Sequence, residues 1–258
     1  MKYPAWSLVL LLFSIHWVQA GEGWKLLFDG KTFDGWIPKI TKHEVGVNAL
    51  DTFRIEDGIL KVSYENYDKF DGQYGHLYTE KSYSHYLIRM EYRFEGGMME
   101  DAPHFVNLNS GFMVHSQSAH EMKRDQNFPI SVEFQFLADE GKGPRPTGNV
   151  CTPGTTIEHN GEHITRHIVQ SSAPTLPAGE WVSVEMEVRG DELIVHRVNG
   201  EEVLRYSATK LDPNDEKFGS AQLVAAGRPL KLDRGHIALQ AEGQGVWFRN
   251  IEIQELEP

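Results

Sequence analysis

The sequence predicts an all-β protein with the architecture of a two-sheet β-sandwich or jelly roll. Most segments alternate apolar and polar residues with a period of two, and no stretch keeps a helical apolar period for three turns. Turn dipeptides separate these segments at short intervals. Many short strands in a chain of 258 residues with 40% hydrophobic content indicate two packed sheets around one core.

The turns predict where individual strands pair. Asp57-Gly58 predicts a hairpin within Phe53 to Val62, because this dipeptide favours a type I′ turn. A three-stranded meander is predicted further along the chain, with turns at Gly190-Asp191 and Asn199-Gly200. The remaining clear strands are predicted at Tyr83 to Phe94, His236 to Gln240 and Val246 to Gln254.

The segment Pro129 to Phe136, PISVEFQF, predicts a strand with two different faces. Its apolar side chains alternate with polar ones, so one face belongs to the core and the other carries Glu133 and Gln135. If the polar face meets solvent, these two are ordinary surface residues. If it lines a groove, they are a catalytic or sugar-binding pair.

Two neighbouring segments are predicted to shape one end of that groove. The segment Ala138 to Thr156 is rich in Pro and Gly, which predicts a long irregular loop. Ile157 to His167 follows it as a hairpin around the turn at Asn160-Gly161. The hairpin carries His159, His163 and His167, spaced by four, but the turn places His159 across from the other two. A two-histidine metal site with Glu158 or Glu162 is geometrically possible, and solvated hairpin residues are the favoured interpretation.

Charge and cysteine content exclude several classes of partner. The formal net charge of −12 disfavours binding to nucleic acid and to anionic membrane. Cys151 is the single cysteine, so no internal disulfide is possible and the fold must be held by its core. No role is predicted for Cys151. No cofactor is indicated, and the sequence does not support a divalent metal.

Six segments occur in the order that one known family has them, and together they span essentially the whole mature chain: Gly23 to Trp36, Leu77 to Phe94, Asn109 to Gln117, Val132 to Leu137, the meander with VNGEEVL, and Leu239 to Ile253. On these segments the chain resembles the 3-keto-disaccharide hydrolase family. The resemblance implies a concanavalin-like jelly roll related to lectins and laminarinase-type glucanases. The chain departs from it at His115, where the family often has Arg, and at Glu242, where it often has His.

The resemblance implies an enzyme that cleaves a glycosidic bond, with a 3-keto-disaccharide or 3-keto-glycoside as the implied substrate. A ketone at C3 makes the C2 hydrogen acidic, so the C1 substituent can leave by elimination before water adds back. This chemistry needs a general base and a donor for the enolate oxygen. Glu133 is the predicted base, and His115 is its predicted acid/base partner on the adjacent strand. The predicted substrate-binding residues are Gln135, Arg124, Glu242 and Gln240.

Two other functions stay open. A conventional endo-glucanase needs two carboxylates about 5–5.5 Å apart, and Gln135 occupies the position where the second would stand, so that carboxylate would have to be displaced. A non-catalytic, lectin-like module would use the same fold. It would depend on an aromatic platform rather than on Glu133, and the candidates for stacking on sugar are Trp36, Trp181 and Trp247.

The first 20 residues have the features of a cleaved signal peptide. Lys2 precedes an apolar run from Trp6 to Val18, and small residues lead to a cleavage site after Ala20. The run is too short to span a bilayer comfortably, and a retained N-terminal anchor is the alternative. The sequence therefore predicts a single domain over residues 21–258 that is periplasmic or secreted, with no membrane contact after cleavage.

Export predicts that the mature protein begins at Gly21. N-terminal sequencing of the protein recovered from the periplasm or medium checks this. A mature chain that still begins at Met1, recovered with the membrane fraction, would favour the anchor.

Overall fold

The computed structural model describes residues 23–258, so the predicted signal peptide lies outside the described residues. In chain order the strands are β1 (Lys25–Leu26), β2 (Trp36–Ile40), β3 (Phe53–Glu56), β4 (Ile59–Val62), β5 (Gly75–Thr79), β6 (His85–Met98), β7 (Asn109–Ser116), β8 (Val132–Leu137), β9 (Asn149–Cys151), β10 (Thr155–His159), β11 (Glu162–Ile164), β12 (Ile168–Val169), β13 (Val182–Arg189), β14 (Leu193–Val198), β15 (Glu201–Leu211), β16 (His236–Ala241) and β17 (Gln244–Glu255). The α-helix α1 (Ser220–Ala225) is short, and the 3-10 helices are Ala49–Asp51, His104–Val106 and Ala119–Glu121.

The strands form two antiparallel sheets. One has ten strands in the order β11-β10-β15-β14-β13-β6-β17-β4-β3, with β1 paired to β17. The other has seven strands in the order β12-β9-β8-β7-β16-β5-β2. The predicted all-β sandwich is confirmed. The sequence analysis did not predict the short helix α1. No helix of residues 23–258 has the length and apolar character needed to cross a membrane.

The core lies between the two sheets and is built by the alternation seen in the sequence. Along β6 every second side chain from Tyr86 to Phe94 is buried, and along β8 Phe134 and Phe136 are fully buried. The ring of Tyr92 on β6 stacks on that of Phe136 on β8, with centroids 4.0 Å apart. Because these strands belong to different sheets, this contact ties the two layers together.

Three predicted hairpin turns join paired strands. Asp57-Gly58 connects β3 to β4, Asn160-Gly161 connects β10 to β11, and Asn199-Gly200 connects β14 to β15. Both residues of each turn have positive φ, as type I′ geometry requires. The turns therefore set the strand register that the sequence predicted.

The prediction of one irregular loop over Ala138 to Thr156 is wrong in part. Asn149 to Cys151 form β9 inside the seven-stranded sheet, and Thr155 already begins β10. Val150 is fully buried in the core, so this segment cannot be removed without opening the sandwich. A strand of three residues is too short for period-two alternation to be visible in the sequence.

Candidate active site

A cavity of about 560 Å³ lies on the face of the seven-stranded sheet that points away from the core. Its floor is formed by β7, β8 and β9, and segments from other parts of the chain form its walls. The lining residues are His104, Phe105, Asn109, Phe128, Glu133, Gln135, Leu137, Glu140, Arg145, Asn149, Cys151, Pro153, His167, Ile168, Gln170, Lys217, Phe218 and Glu242. Its size suits a mono- or disaccharide-sized ligand.

The strand register places Glu133 and Gln135 on this floor. Glu133 is paired with Cys151 on β9, and Gln135 is paired with Asn149 on the same strand. Directly opposed residues in antiparallel strands project from the same face. Glu133 and Gln135 are only 7% and 8% exposed, so the polar face of PISVEFQF lines a groove rather than open solvent.

Gly111 on β7 makes room for the Glu133 carboxyl. A Cβ at position 111 would lie 2.7 Å from Glu133 Oε1 and 2.6 Å from the carbonyl oxygen of Phe134. Real Cβ atoms do not approach other atoms so closely. The absence of a side chain at Gly111 is therefore a condition for the observed position of the carboxyl.

Glu133 and Glu242 form a buried carboxyl pair with unequal surroundings. Burial raises the pKa of Glu133 from an ordinary 4.5 to about 8, and the adjacent Cys151 thiol partly offsets that rise. Glu242 directly follows β16, and burial, followed by the charge of Glu133, raises its pKa well above the usual range. Among the described residues, Glu242 Oε2 has no hydrogen-bond partner. The pair can therefore hold one ionised and one protonated carboxyl, with Glu133 the group that ionises at the lower pH.

A chain of side-chain amides crosses the floor beside this pair. Asn149 Nδ2 donates to Gln135 Oε1 at 3.0 Å, and Gln135 Nε2 donates to Asn109 Oδ1 at 3.3 Å. The backbone N–H of Ser171 donates to Asn149 Oδ1, and Asn109 Nδ2 donates to the carbonyl oxygen of Phe105. A backbone N–H can only donate and a carbonyl can only accept, so the two ends fix the orientation of every amide between them.

This orientation presents Gln135 to a ligand as a donor. The Gln135 carbonyl oxygen is occupied by Asn149, whereas Nε2 carries a second hydrogen beyond the one given to Asn109. The Asn149 amide nitrogen donates both to Gln135 and to the carbonyl of Pro146, so it has no hydrogen left. The floor therefore places a donor next to two carboxyl groups.

The walls are fixed by one arginine and one aromatic contact. Arg145 donates to the carbonyl oxygens of Asn107, Leu108 and Ala138 and pairs with Glu140 at 3.1 Å. These contacts hold the loop between β8 and β9 against the start of β7, so the guanidinium is engaged in structure.

On the other wall, the ring of His167 stacks on Phe218 with centroids 5.9 Å apart. Lys217 Nζ lies 4.9 Å from the centroid of the same phenyl ring. The segment after β11 and the segment before α1 therefore meet at the edge of the cavity.

The structure does not bring His115 to Glu133. The backbone of His115 has a φ of 50°, and the pairing between β7 and β16 shifts at this point, which is a β-bulge. The bulge interrupts the alternation that the prediction assumed, and His115 Nε2 instead donates to the Gly190 carbonyl at 2.9 Å. Burial lowers the pKa of His115 to about 4, so it is neutral at ordinary pH and lines a different cavity.

The four predicted substrate-binding residues divide between the cavity and its surroundings. Gln135 and Glu242 line the cavity, whereas Arg124 and Gln240 do not. The Arg124 side chain is 62% exposed on the loop before β8, where it lies 3.7 Å from Glu44. Gln240 is buried on β16, two residues before Glu242, and pairs with His76 on β5.

The three histidines of the β10–β11 hairpin do not meet. His159 Nδ1 donates to the backbone carbonyl oxygen of Arg205 at 2.9 Å, and His163 is exposed. Of the three, only His167 reaches the cavity. Within residues 23–258, no three His, Cys, Asp or Glu side chains are grouped as metal ligands.

The tryptophans considered as sugar platforms lie elsewhere. Trp36 is in the core, and Trp181 and Trp247 lie on the ten-stranded sheet with the Arg93 guanidinium within 5 Å of both rings, at 4.9 and 4.7 Å. The aromatic residues that do line the cavity are Phe105, Phe128 and Phe218.

Sequence reasoning missed the partners of Glu133 and Gln135. Asn149 and Cys151 lie on β9, within a segment whose sequence predicts a loop, and Asn109 is the first residue of β7. The only local signal is the alternation of Asn149, Val150 and Cys151, which three residues are too few to establish.

The raised pKa of Glu133 predicts how stability depends on pH. The folded protein retains the proton up to about pH 8, whereas an unfolded glutamate releases it near 4.5. Between these values folding takes up a proton, so the free energy of unfolding falls as pH rises, by up to about 1.4 kcal/mol per pH unit. Glu133→Gln removes this contribution, so the stability of the variant relative to the parent should increase from pH 5 to pH 8.

Urea unfolding of both proteins across this pH range measures that difference. Glu162→Gln, on the exposed β10–β11 hairpin, is the control and should keep a constant offset from the parent. A constant offset for Glu133→Gln as well would show that Glu133 is ionised in the fold at all these pH values.

Comparison with known proteins agrees with the fold. Residues 23–254 match the model of a family described as the 3-keto-alpha-glucoside-1,2-lyase-like domain. A 3-keto-disaccharide hydrolase of Bacteroides thetaiotaomicron is 25% identical over 255 residues, which cover 92% of this chain and 79% of that protein.

Among solved structures, a galectin-like fold from Bacillus subtilis superposes with a TM-score of 0.55 at 11% identity, covering 92% of this chain and 96% of that one. A protein of Parabacteroides distasonis that is itself only inferred to be a glycosyl hydrolase gives a TM-score of 0.52 at 21% identity, covering 92% and 95%. These two likenesses establish the jelly-roll fold. The family match spans nearly all of the described residues, and the chain therefore belongs to the 3-keto-alpha-glucoside-1,2-lyase-like, or 3-keto-disaccharide hydrolase, family.

Proposed function

We propose that this protein is an exported enzyme that cleaves the glycosidic bond of a 3-keto-glycoside by elimination followed by hydration. The observation that carries the proposal is the unequal carboxyl pair of Glu133 and Glu242 beside the oriented Gln135 donor. Elimination needs a base, an acid and a donor for a developing oxyanion, and these three side chains can fill those roles.

In the elimination half, ionised Glu133 takes the proton from C2 of the 3-keto sugar. The C–H electrons form an enolate across C2 and C3, and the Gln135 N–H donates to its oxygen. As the C3 carbonyl re-forms, a double bond forms between C1 and C2 and the C1–O bond breaks. Protonated Glu242 gives its proton to the departing oxygen, so the leaving group departs as a neutral alcohol.

In the hydration half, the same residues act in reverse. Glu242, now ionised, takes a proton from water as the water oxygen adds to C1 of the unsaturated ketone. Glu133 returns its proton to C2. The net change is addition of one water molecule across the glycosidic bond, and both carboxyl groups regain their starting protonation states.

The named relative supports the substrate class. The Bacteroides thetaiotaomicron protein is a 3-keto-disaccharide hydrolase, and its similarity covers 92% of this chain. A floor that offers a donor for a ketone oxygen agrees with a substrate already oxidised at C3.

The second candidate is a conventional glycoside hydrolase. The observation that favours it is that Glu242 supplies the second carboxylate that Gln135 does not. In that mechanism one carboxylate attacks C1 and the other protonates the leaving oxygen, and no ketone is needed.

Paired substrates separate the two candidates. The purified protein is incubated with a glycoside and with the same glycoside oxidised at C3, and release of the leaving alcohol is followed. We expect turnover of the oxidised substrate only, with exchange of the C2 hydrogen for deuterium in D₂O. Turnover of the native glycoside without exchange at C2 would favour double displacement, and binding without turnover of either would indicate a lectin-like module.

Glu133→Gln should lower kcat on the 3-keto-glycoside by roughly 10²-fold or more, since an amide cannot act as the base. Its shape is retained, so KM should change little. Glu162→Gln, a matched substitution on the exposed hairpin, should keep the parent kcat. Parent-like turnover by Glu133→Gln would move the search for the base to Glu242.

Gly111→Ala should lower kcat without removing any polar group. The added Cβ would force the Glu133 carboxyl or the strand backbone to move, because it would lie 2.7 Å from Oε1. Misplacement of a reacting group by about 1 Å can cost on the order of 10²-fold in rate. Gly97→Ala is the control, since a Cβ there meets no atom within 4 Å. Equal kcat values for both variants would show that the exact position of the carboxyl is unimportant.

A further inference from the structure

Cys151, the only cysteine of the chain, is the cross-strand neighbour of Glu133. It is the last residue of β9, is 2% exposed, and lines the same cavity as Glu133 and Glu242. The proposed elimination and hydration assign it no chemical step. Its position raises the question of why the base has a thiol, and not an apolar side chain, beside it.

Toward an ionised carboxylate the Cys151 thiol acts as a donor. Burial, together with the charges of Glu133 and Glu242, raises the pKa of Cys151 well above its usual range, so the sulfur keeps its hydrogen. A thiol hydrogen next to a carboxylate forms a weak hydrogen bond with it. A hydrogen bond to the ionised carboxylate is stronger than one to the protonated carboxyl, so the thiol favours the charged form of Glu133.

The other surroundings of Glu133 provide little compensation for its charge. From β7 the facing residues are Met113 and Gly111, which carry no polar side chain. Gln135, on its own strand, gives one N–H hydrogen to Asn109, and its other hydrogen is the one that the proposed mechanism assigns to the substrate oxygen. Glu242, which follows β16, is an acid whose unpartnered Oε2 is also buried here. The remaining titratable groups of the cavity belong to its walls: His104, Glu140, Arg145, His167 and Lys217.

We propose that Cys151 is a positioning residue for Glu133: its thiol donates to the Glu133 carboxylate and makes Glu133, rather than Glu242, the member of the pair that ionises. The proposal rests on the proposed function, in which Glu133 is the base and Glu242 the acid. Without the thiol, both carboxyl groups would be buried near each other, and no cross-strand side chain would favour the ionised form of Glu133. The assignment of base and acid would then lose the feature that distinguishes them.

The test compares pH–rate profiles of the parent, Cys151→Ala, Cys151→Val and Cys151→Ser on a 3-keto-glycoside. The rate should rise as Glu133 loses its proton. Loss of the donor in the Ala and Val variants should move the midpoint of this rise upward by about 0.5 to 1 pH unit, as expected for one modest hydrogen bond. Serine restores a donor, so its midpoint should lie at or below that of the parent.

A merely structural cysteine would give another pattern. Lower stability with an unmoved midpoint in both Ala and Val variants would overturn the proposal. Valine fills the buried site with an apolar side chain somewhat larger than cysteine, so it remains informative if the alanine variant folds poorly. A midpoint in the serine variant that moved upward with Ala and Val would also overturn it, because the donor would then be irrelevant.

A direct titration separates failure of this proposal from failure of the proposed function. The carboxyl band of Glu133 is followed by infrared difference spectroscopy, assigned by its loss in Glu133→Gln, in the parent and in Cys151→Val. An upward shift of its midpoint in Cys151→Val supports the contact even if no 3-keto-glycoside is turned over. An unshifted band overturns the proposal even if the enzyme is active.

Discussion

The site depends on the two-faced packing of β8. Phe134 and Phe136 are locked into the core, and Phe136 stacks on Tyr92 of the opposite sheet. Because side chains alternate along a strand, this packing fixes the direction in which Glu133 and Gln135 project. A rotation or slip of β8 by one residue would expose the phenylalanines and bury the carboxyl in the core. The position of the candidate base is therefore determined by the hydrophobic contact on the other side of its strand.

The same arrangement has a thermodynamic cost. Two carboxyl groups are buried in the cavity, and Glu242 Oε2 lacks a hydrogen-bond partner among the described residues. A carboxyl without such a partner is unfavourable in a low-dielectric site. The aromatic core between the two sheets, and not a disulfide, must offset this cost, since Cys151 is the only cysteine. The sign of the pH dependence follows from this arrangement, because protonation relieves the unfavourable burial of charge at Glu133.

Strand alternation and turn dipeptides were enough to predict the sandwich, its hairpins and the groove face of β8. They failed where a single residue changes the geometry. At His115 a bulge turns the side chain toward Gly190, and a bulge leaves no clear mark on a period-two pattern. Cys151 and Asn149 were missed because β9 is only three residues long and its strand identity comes from pairing with β8. The amide chain depends on the backbone of Ser171 and Phe105, which no side-chain pattern records.

These features bear on the choice between an enzyme and a binding module, which the fold leaves open. A lectin gains affinity from ionised acceptors and exposed rings, and it gains nothing from a carboxyl whose charge is suppressed by burial. Burial raises the pKa of Glu133 to about 8, and burial, together with the charge of Glu133, raises the pKa of Glu242 well above its usual range. Two such groups weaken the fold and weaken hydrogen bonding to sugar hydroxyls at neutral pH. They are useful where protons must be taken and returned during a reaction, which is why perturbed carboxyl pairs are found at catalytic sites. The physical state of the pair therefore argues for catalysis independently of any likeness to other proteins.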